Sequence, residues 1–252
     1  MLRQERREAA ARNCKRIGNS AAPGLTCDRL SSMISDSLSY PHRTRKGGTA
    51  LPTETFFRLP EVKRETLLSC ARQEFARVPY PDASINRIIH AAGIPRGSFY
   101  MYFEDKSDLF LYLMDRFADA FTVTVCQQLE EAKGDLFHAF RRLFDLLWER
   151  CSDHCREGSA AEIITILRRN AGMPHTMAMG QRYSRRFLSQ ILPRLDHSIL
   201  ALEGKADLEN GLRILLSVTL PLLCDGVLAE DPEPIRTRYQ SYLTILERGM
   251  LR

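Results

Sequence analysis

The sequence of 252 residues predicts an all-α fold, and three observations support this prediction. From Pro60 onward, apolar residues recur three and four positions apart, which is the spacing of an amphipathic helix. No stretch alternates apolar and polar residues for long enough to indicate a β-strand. Proline and glycine divide the apolar stripes into segments of helical length. We therefore expect a series of packed helices and no sheet.

Residues 1 to 52 differ from the rest of the chain in composition. They are rich in Ser, Arg, Gly and Pro, hold ten Lys and Arg against four Asp and Glu, and end in KGGTALP. Because such a composition buries little apolar surface, we predict a disordered basic N-terminal extension that is dispensable for folding. Two alternatives stay open. The segment is a basic arm that contacts nucleic-acid phosphates, or the start codon is assigned too early and Met33 is an internal candidate.

The first three helices are short, and their ends carry clear signals. The first stripe ends beside Tyr80, because the two prolines that flank this residue cannot continue a helix. A second helix begins after Asp82 or Ser84, either of which can cap it, and Gly93 ends it in the left-handed conformation. Pro95 begins a third helix of barely two turns. The apolar positions of the first two helices are Leu67, Leu68, Ala71, Phe75, Ile85, Ile88, Ile89 and Ala92.

Longer helices follow from residue 107 to the C-terminus. Asp105 is the predicted N-cap of the fourth helix. We expect Pro193 to kink a seventh helix that runs from Tyr183 to Ile199, and Pro221 to bend the helix after it. The last helix begins near Pro234. The sequence thus divides into an extension (1–52), a small domain (53–106) and a larger helical domain (107–252).

The small domain contains a helix-turn-helix pattern, in which a tight turn with glycine joins two short helices at a steep angle. Residues 84–110 read SINRIIHAAGIPRGSFYMYFEDKSDLF. This segment resembles the N-terminal DNA-binding module of the TetR family of bacterial helix-turn-helix transcriptional regulators. The resemblance covers about 50 residues, and after Leu113 it is only architectural. It implies a three-helix DNA-binding domain followed by a helical ligand-binding and dimerisation domain.

The second helix of the pattern has one face for the core and one for DNA. Phe99 and Phe103 are four residues apart and share the core face, which leaves their neighbours toward the major groove. Arg96 can donate a bidentate pair to guanine, and Gly97 permits close approach of the backbone. The segment from Ser84 to Phe103 holds no acidic residue. We predict DNA contacts from Ser84, Arg87, Arg96, Gly97, Ser98, Tyr100, Met101, Tyr102 and Lys106.

The resemblance further implies that the larger domain binds a small-molecule effector and that its last two helices form a homodimer. The protein is then a repressor that the effector releases from a double-stranded DNA operator. The alternative is an architectural DNA-binding protein that responds to no ligand. A run of Met and His offers adaptable lining for a pocket, although it could equally pack as a loop or hold copper. The predicted effector contacts are Met173, His175, Met177 and Phe187.

Several other classes of protein are disfavoured. The sequence has no Gly-x-Ser-x-Gly, P-loop or His-Glu-x-x-His motif, so we expect no enzyme and no cofactor. The seven cysteines are irregularly spaced, and Cys151, His154 and Cys155 are too few for a zinc site, so we expect no metal. No apolar run approaches the roughly 20 residues of a membrane span. No secretory signal is evident, so we expect a cytoplasmic protein.

Overall fold

The computed structural model describes residues 52–153, 159–171, 174–229, 231 and 233–251, and these residues form ten α-helices. The predicted extension, except for its last residue, lies outside this range. The helices are α1 (Glu54–Phe57), α2 (Glu61–Arg77), α3 (Ile85–Ala91), α4 (Arg96–Tyr102), α5 (Lys106–Glu131), α6 (Leu136–Asp153), α7 (Ser159–Arg169), α8 (Pro174–Ile191), α9 (Gly204–Leu228) and α10 (Glu233–Met250). Short 3₁₀ turns lie at Tyr80–Asp82 and Leu192–Arg194.

The described residues contain no β-strand, which confirms the all-α prediction. An isolated antiparallel bridge joins Leu200 to Leu251, and the Ala201 amide donates to the Met250 carbonyl at 2.8 Å. This bridge ties the segment after α8 to the end of α10. No helix in the described part of the chain is long and apolar enough to cross a membrane.

The first apolar cluster surrounds the short helices and is built largely from aromatic rings. Phe75 packs edge-on against Phe110, with ring centroids 5.1 Å apart. The predicted apolar stripe of α2 is buried in this cluster, as are Ile88 and Ile89 of α3. The spacing of apolar residues therefore located the core faces of α2 and α3.

Helix α1 was not predicted, yet it supplies one side of this cluster. Phe56 is fully buried, and its ring centroid lies 4.9 Å from that of Phe103 and 5.4 Å from that of Tyr112. Four residues are too few for a helical stripe to show in the sequence. Helix α1 is thus part of the core although it has only four residues.

Helix α5 joins the two large apolar clusters of the protein. Leu109 and Leu113 in its first half belong to the first cluster, and Val125 and Leu129 in its second half belong to the other. The second cluster also draws on α6, α8, α9 and α10. Burial around the short helices therefore extends past residue 106, and the division of the chain at that residue stays a prediction.

The predicted kink at Pro193 is wrong in one respect. Helix α8 ends at Ile191, and Pro193 lies in the 3₁₀ turn that follows, so Ile199 is not part of the helix. Proline has no N–H to donate to the carbonyl four residues earlier, so the α-helix cannot continue through Pro193. At the second position of a 3₁₀ turn this missing donor costs nothing. Pro221, in contrast, lies inside α9 as expected.

Candidate nucleic-acid interface

The turn between α3 and α4 is fixed by a helix-ending motif at Gly93. Its φ of 65° is in the left-handed region, which favours glycine. The Gly93 amide donates to the His90 carbonyl at 3.2 Å, and the Ile94 amide donates to the Ile89 carbonyl at 3.0 Å. These two bonds form a Schellman motif, which closes the open carbonyls of α3 and turns the chain into α4.

Helix α4 buries one face and exposes the other. Phe99 and Phe103 have no exposed surface, whereas Tyr100 and Met101 are 48% and 57% exposed. Arg96 and Gly97 are exposed at its first turn, and Ser98 is half-buried. A Cβ atom built on Gly97 meets no atom within 4 Å, so packing within the protein does not require glycine there. Open space in front of this backbone suits the approach of another molecule.

Tyr102 lies at the edge of this face rather than in it. Its side chain is half-buried, and its ring centroid is 6.3 Å from that of Phe56. The Thr53 amide donates to the Tyr102 carbonyl at 2.9 Å, and the Thr53 hydroxyl donates to the Met101 carbonyl. These two bonds fix Thr53 beside the C-terminal end of α4.

Glu74 organises the start of α3, although no sequence pattern indicated this role. Its buried carboxylate accepts two hydrogen bonds from Arg77, both at 2.8 Å, and one from the Ser84 amide at 3.0 Å. Arg87 lies 3.3 Å away as a further ion pair. The bonds from Arg77, together with the bond from the Ser84 amide, hold the pKa of Glu74 below its usual value. This carboxylate thus ties the end of α2 to the start of α3.

These contacts engage groups of Ser84 and Arg87, two residues that were predicted to contact DNA. Ser84 is at the N-cap of α3 but makes no side-chain cap bond, and its amide is already bound to Glu74. Its hydroxyl is the group left for a phosphate. Arg87 is 63% exposed at its side chain, and its ion pair with Glu74 is made through Nε.

Lys106 is a predicted DNA contact whose ammonium group is hydrogen-bonded within the protein. Its Nζ donates to the carbonyls of Tyr80, Pro81 and Ala83 at 2.7, 2.9 and 2.8 Å. The same ammonium lies 4.8 Å from the centre of the Tyr80 ring. Asp105 caps α5 as predicted, because its carboxylate accepts from the Asp108 amide at 2.9 Å.

Asn86 is an exposed polar residue on the first turn of α3 that the sequence analysis did not select. It lines an open groove between α2 and α3 together with Gln73, Arg87 and His90. The signal for it was present, because Asn86 lies next to Arg87 in the segment without acidic residues. We add it to the face that is available for DNA.

The predicted effector contacts fall mostly outside what the structure describes. Met173 is outside the described residues, and so are the side chains of His175 and Met177, although both positions belong to α8. Phe187 is buried and stacks on Phe121, with ring centroids 6.1 Å apart. In the described part of the chain, no group of three or more His, Cys, Asp or Glu is arranged to hold a metal ion.

Helices α3 and α4 are short and are joined by a turn at Gly93. Helix α4 exposes a polar face and buries an aromatic one. This arrangement defines a helix-turn-helix DNA-binding domain. Residues 67–113 match the family model described as bacterial regulatory proteins, tetR family. The match includes residues 84–110, the segment whose resemblance to this family was described above.

Three solved structures align with between 76% and 80% of this chain. A TetR family transcriptional regulator from Chloroflexus aurantiacus is 27% identical over 80% of this chain and 99% of that chain, with a TM-score of 0.46. SmeT, the repressor of the Stenotrophomonas maltophilia multidrug efflux pump SmeDEF, is 20% identical over 78% and 93%, with a TM-score of 0.56. NalD, the secondary repressor of the MexAB-OprM multidrug efflux pump in Pseudomonas aeruginosa, is 20% identical over 76% and 98%, with a TM-score of 0.53. SmeT and NalD share the fold of this chain.

Proposed function

We propose that the protein is a repressor that binds a DNA operator as a homodimer and is released by a small-molecule effector. The observation that carries the DNA-binding part is the exposed face of α4. Arg96 and Tyr100 project from this face while Phe99 anchors the helix in the core. A guanidinium at the start of such a helix can donate two hydrogen bonds to guanine, and a tyrosine hydroxyl can donate to a phosphate or a base edge.

Release by an effector requires a mechanical link between the larger domain and the DNA-reading helices, and α7 supports one. Its Ile163 and Ile166 pack in the first apolar cluster. Glu162 accepts a hydrogen bond from Arg72 of α2 at 3.1 Å. Asn170, fully buried directly after α7, accepts from the Tyr80 amide at 2.9 Å. A displacement of α7 would therefore move both α2 and the turn that precedes α3.

The interface of α5 and α8 is where we place the effector. Asp119 Oδ2 and Tyr183 Oη are buried there without a hydrogen-bond partner among the described residues. Native proteins rarely leave such atoms unpaired, because each costs about 1–3 kcal/mol. The stacked rings of Phe121 and Phe187 supply an apolar wall on the same pair of helices. An apolar wall with a few unpaired polar atoms is the usual composition of a ligand site.

The homodimer is supported by large apolar side chains that remain exposed on the last two helices. Ile214 of α9 is 49% exposed, and Tyr242 and Ile245 of α10 are 41% and 63% exposed. Leu243, in contrast, is fully buried within one chain, and Leu216 is half-buried. Substitutions at these two leucines would disturb the fold of a single chain. The dimer is therefore tested at the exposed residues Ile214, Tyr242 and Ile245.

The test of the proposed function is to select DNA duplexes from a random library with the full-length protein. We expect a palindromic site, and Arg96→Ala should weaken binding to it by about 1–3 kcal/mol while relaxing the preference at one base pair per half-site. Lys205→Ala, an exposed lysine on α9, is the control and should bind as wild type. Recovery of unrelated sequences would instead indicate an architectural DNA-binding protein.

The dimer is tested with the double variant Ile214→Glu and Ile245→Glu, followed by sedimentation. We expect folded monomers, because the charges cannot be buried against a second copy. A dimer of wild-type stability would contradict the assignment of α9 and α10.

A further inference from the structure

We propose that Arg77, together with Arg87, clamps a phosphate of the DNA backbone at the groove between α2 and α3. This inference rests on the DNA-binding role proposed above and extends it to a residue of α2 that the sequence analysis did not select. Arg77 is the last residue of α2. Its Nη2 donates to the same oxygen of Glu74 that accepts from the Ser84 amide, so Arg77 lies beside the start of α3.

One buried carboxylate holds the two arginines side by side. Arg77 donates to Glu74 through Nε and Nη2, both at 2.8 Å, and the Nε of Arg87 lies 3.3 Å from the same carboxylate. Both Nε atoms are next to the Oε2 oxygen of Glu74, so the two guanidinium groups approach a single point. Two positive charges beside one negative charge leave an excess of one. A further anion that bridges the guanidinium groups would offset their mutual repulsion.

The remaining donors of the two arginines suit a phosphate. The Arg77 and Arg87 side chains are 45% and 63% exposed. Among the described residues, no hydrogen bond uses Nη1 of Arg77 or either Nη of Arg87. The forked donors of a guanidinium match the oxygens of a phosphate, and charge makes such bonds stronger than neutral ones. The pair can therefore hold Glu74 and a phosphate at the same time.

The groove in front of the two arginines continues the face that is available for DNA. It has a volume of about 550 Å³, which leaves room for a phosphate. Its lining includes the basic residues Arg77, Arg87 and His90, and Glu74 is the one acidic residue of this lining. Asn86 and Arg87 belong to the face assigned above to DNA, and they also line the groove. The interface proposed for DNA thus extends from α3 toward the end of α2.

The alternative role for Arg77 is structural, because it orients the carboxylate that holds the start of α3. The salt dependence of binding separates the two roles. A phosphate contact releases counterions from DNA, so its removal lowers the slope of log affinity against log salt by about 0.9. Loss of a structural bond weakens binding but leaves this slope unchanged. Lysine keeps the charge that a phosphate needs but lacks the fork that binds both carboxylate oxygens.

The experiment measures binding of the library-selected duplex and of an unrelated duplex of equal length across a salt series. We expect Arg77→Ala and Arg87→Ala each to lower the slope by about 0.9 for each arginine removed. Binding to the two duplexes should weaken by the same factor, on the order of tenfold, because a phosphate carries no sequence information. Arg77→Lys should keep the wild-type slope. Arg142→Ala is the matched control and should bind as wild type, since Arg142 of α6 is 48% exposed and also pairs with a carboxylate, that of Glu131.

A scan of the selected duplex with single methylphosphonates, each of which neutralises one phosphate, locates the contact. One position in each half-site should weaken wild type by a factor on the order of ten. The same position should have no effect on Arg77→Ala, which has already lost the contact. If Arg77→Ala does not fold, Arg87→Ala replaces it in this scan and should show reduced sensitivity at the same position.

Three results would overturn the clamp. The first is a wild-type slope in both alanine variants, whether or not binding is weaker, because it leaves only the structural role. The second is a slope in Arg77→Lys that falls as far as in Arg77→Ala. The third is a methylphosphonate scan in which wild type and the alanine variants respond alike at every position. If wild type selects no DNA, the proposed function itself fails, whereas these three results refute the clamp alone.

Discussion

Two carboxylates in the interior of the protein, Glu74 and Asp119, have opposite surroundings. Glu74 accepts hydrogen bonds from Arg77 and Ser84 and pairs with Arg87, which keeps its pKa low. Asp119 pairs with Arg186 at 2.9 Å, but its Oδ2 has no partner among the described residues, and burial raises its pKa. The carboxylate of Glu74 is thus satisfied by groups of α2 and α3. The interface of α5 and α8 keeps unused hydrogen-bonding capacity, which is what a site for an outside molecule needs.

The largest expected effect is the loss of Glu74. We expect Glu74→Gln to lower the free energy of unfolding by about 2 kcal/mol, because the amide cannot accept from Arg77, Ser84 and Arg87 at once. Urea denaturation followed by circular dichroism measures the change. Glu54→Gln is the matched control, since the Glu54 side chain is 71% exposed and should cost under about 0.5 kcal/mol. Equal losses in the two variants would contradict a central role for Glu74.

The second effect tests Arg186, the ion-pair partner of Asp119 among the described residues. Arg186→Ala should lower the free energy of unfolding by about 1 kcal/mol at pH 7, because it leaves a largely buried carboxylate without any described partner. Arg87→Ala should cost less than about 0.5 kcal/mol, since Glu74 keeps its other donors. Unfolding curves at pH 7 compare the two variants. If Arg87→Ala proves the more damaging substitution, the two carboxylates do not differ as described.

The pH dependence of stability should have opposite signs at the two sites. Glu74 has a lowered pKa in the folded state, so its contribution is present above pH 4.5 and is lost as the pH falls through the lowered value. Asp119 has a raised pKa, so its protonated form favours folding, and stability is lost as the pH rises from 3.8 through the folded value. Urea unfolding of wild type, Glu74→Gln and Asp119→Asn between pH 3 and 7, about the range where carboxylates titrate, separates the two contributions. If the free energy of unfolding of both variants, relative to wild type, changes with pH in the same direction, these assignments are contradicted.

The smallest effect is a gain. Asp119→Asn should leave the free energy of unfolding unchanged or raise it by up to about 1 kcal/mol at pH 7, because a neutral amide is less costly to bury than an ionised carboxylate. Thermal unfolding at neutral pH detects such a change. A clear loss of stability would indicate that Asp119 serves the fold rather than an effector.

The sequence predicted the features that depend on local spacing. The stripe through Leu67, Leu68, Ala71 and Phe75 located α2, Gly93 located the turn, and Asp105 located the cap of α5. The matching family segment supplied the class of protein.

What the sequence did not predict depends on partners that are distant along the chain. Glu74 meets Ser84 ten residues later, and Lys106 meets carbonyls 23 to 26 residues earlier. Backbone carbonyls carry no residue-type signal, so no pattern could have assigned them to Lys106. The short helix α1 was not predicted for a related reason. Phe56 is held by the rings of Phe103, directly after α4, and Tyr112 of α5 rather than by its neighbours in the sequence.

The bonds between Thr53 and the last carbonyls of α4 have a practical consequence. The backbone of Thr53 is therefore held next to the helix whose exposed face we assign to the operator. A fluorescent dye on a cysteine introduced at Thr53 would therefore serve as a reporter, whose emission changes when DNA arrives and recovers when an effector removes it. Such a labelled protein would allow compound libraries to be screened for the inducer before any regulated gene is known.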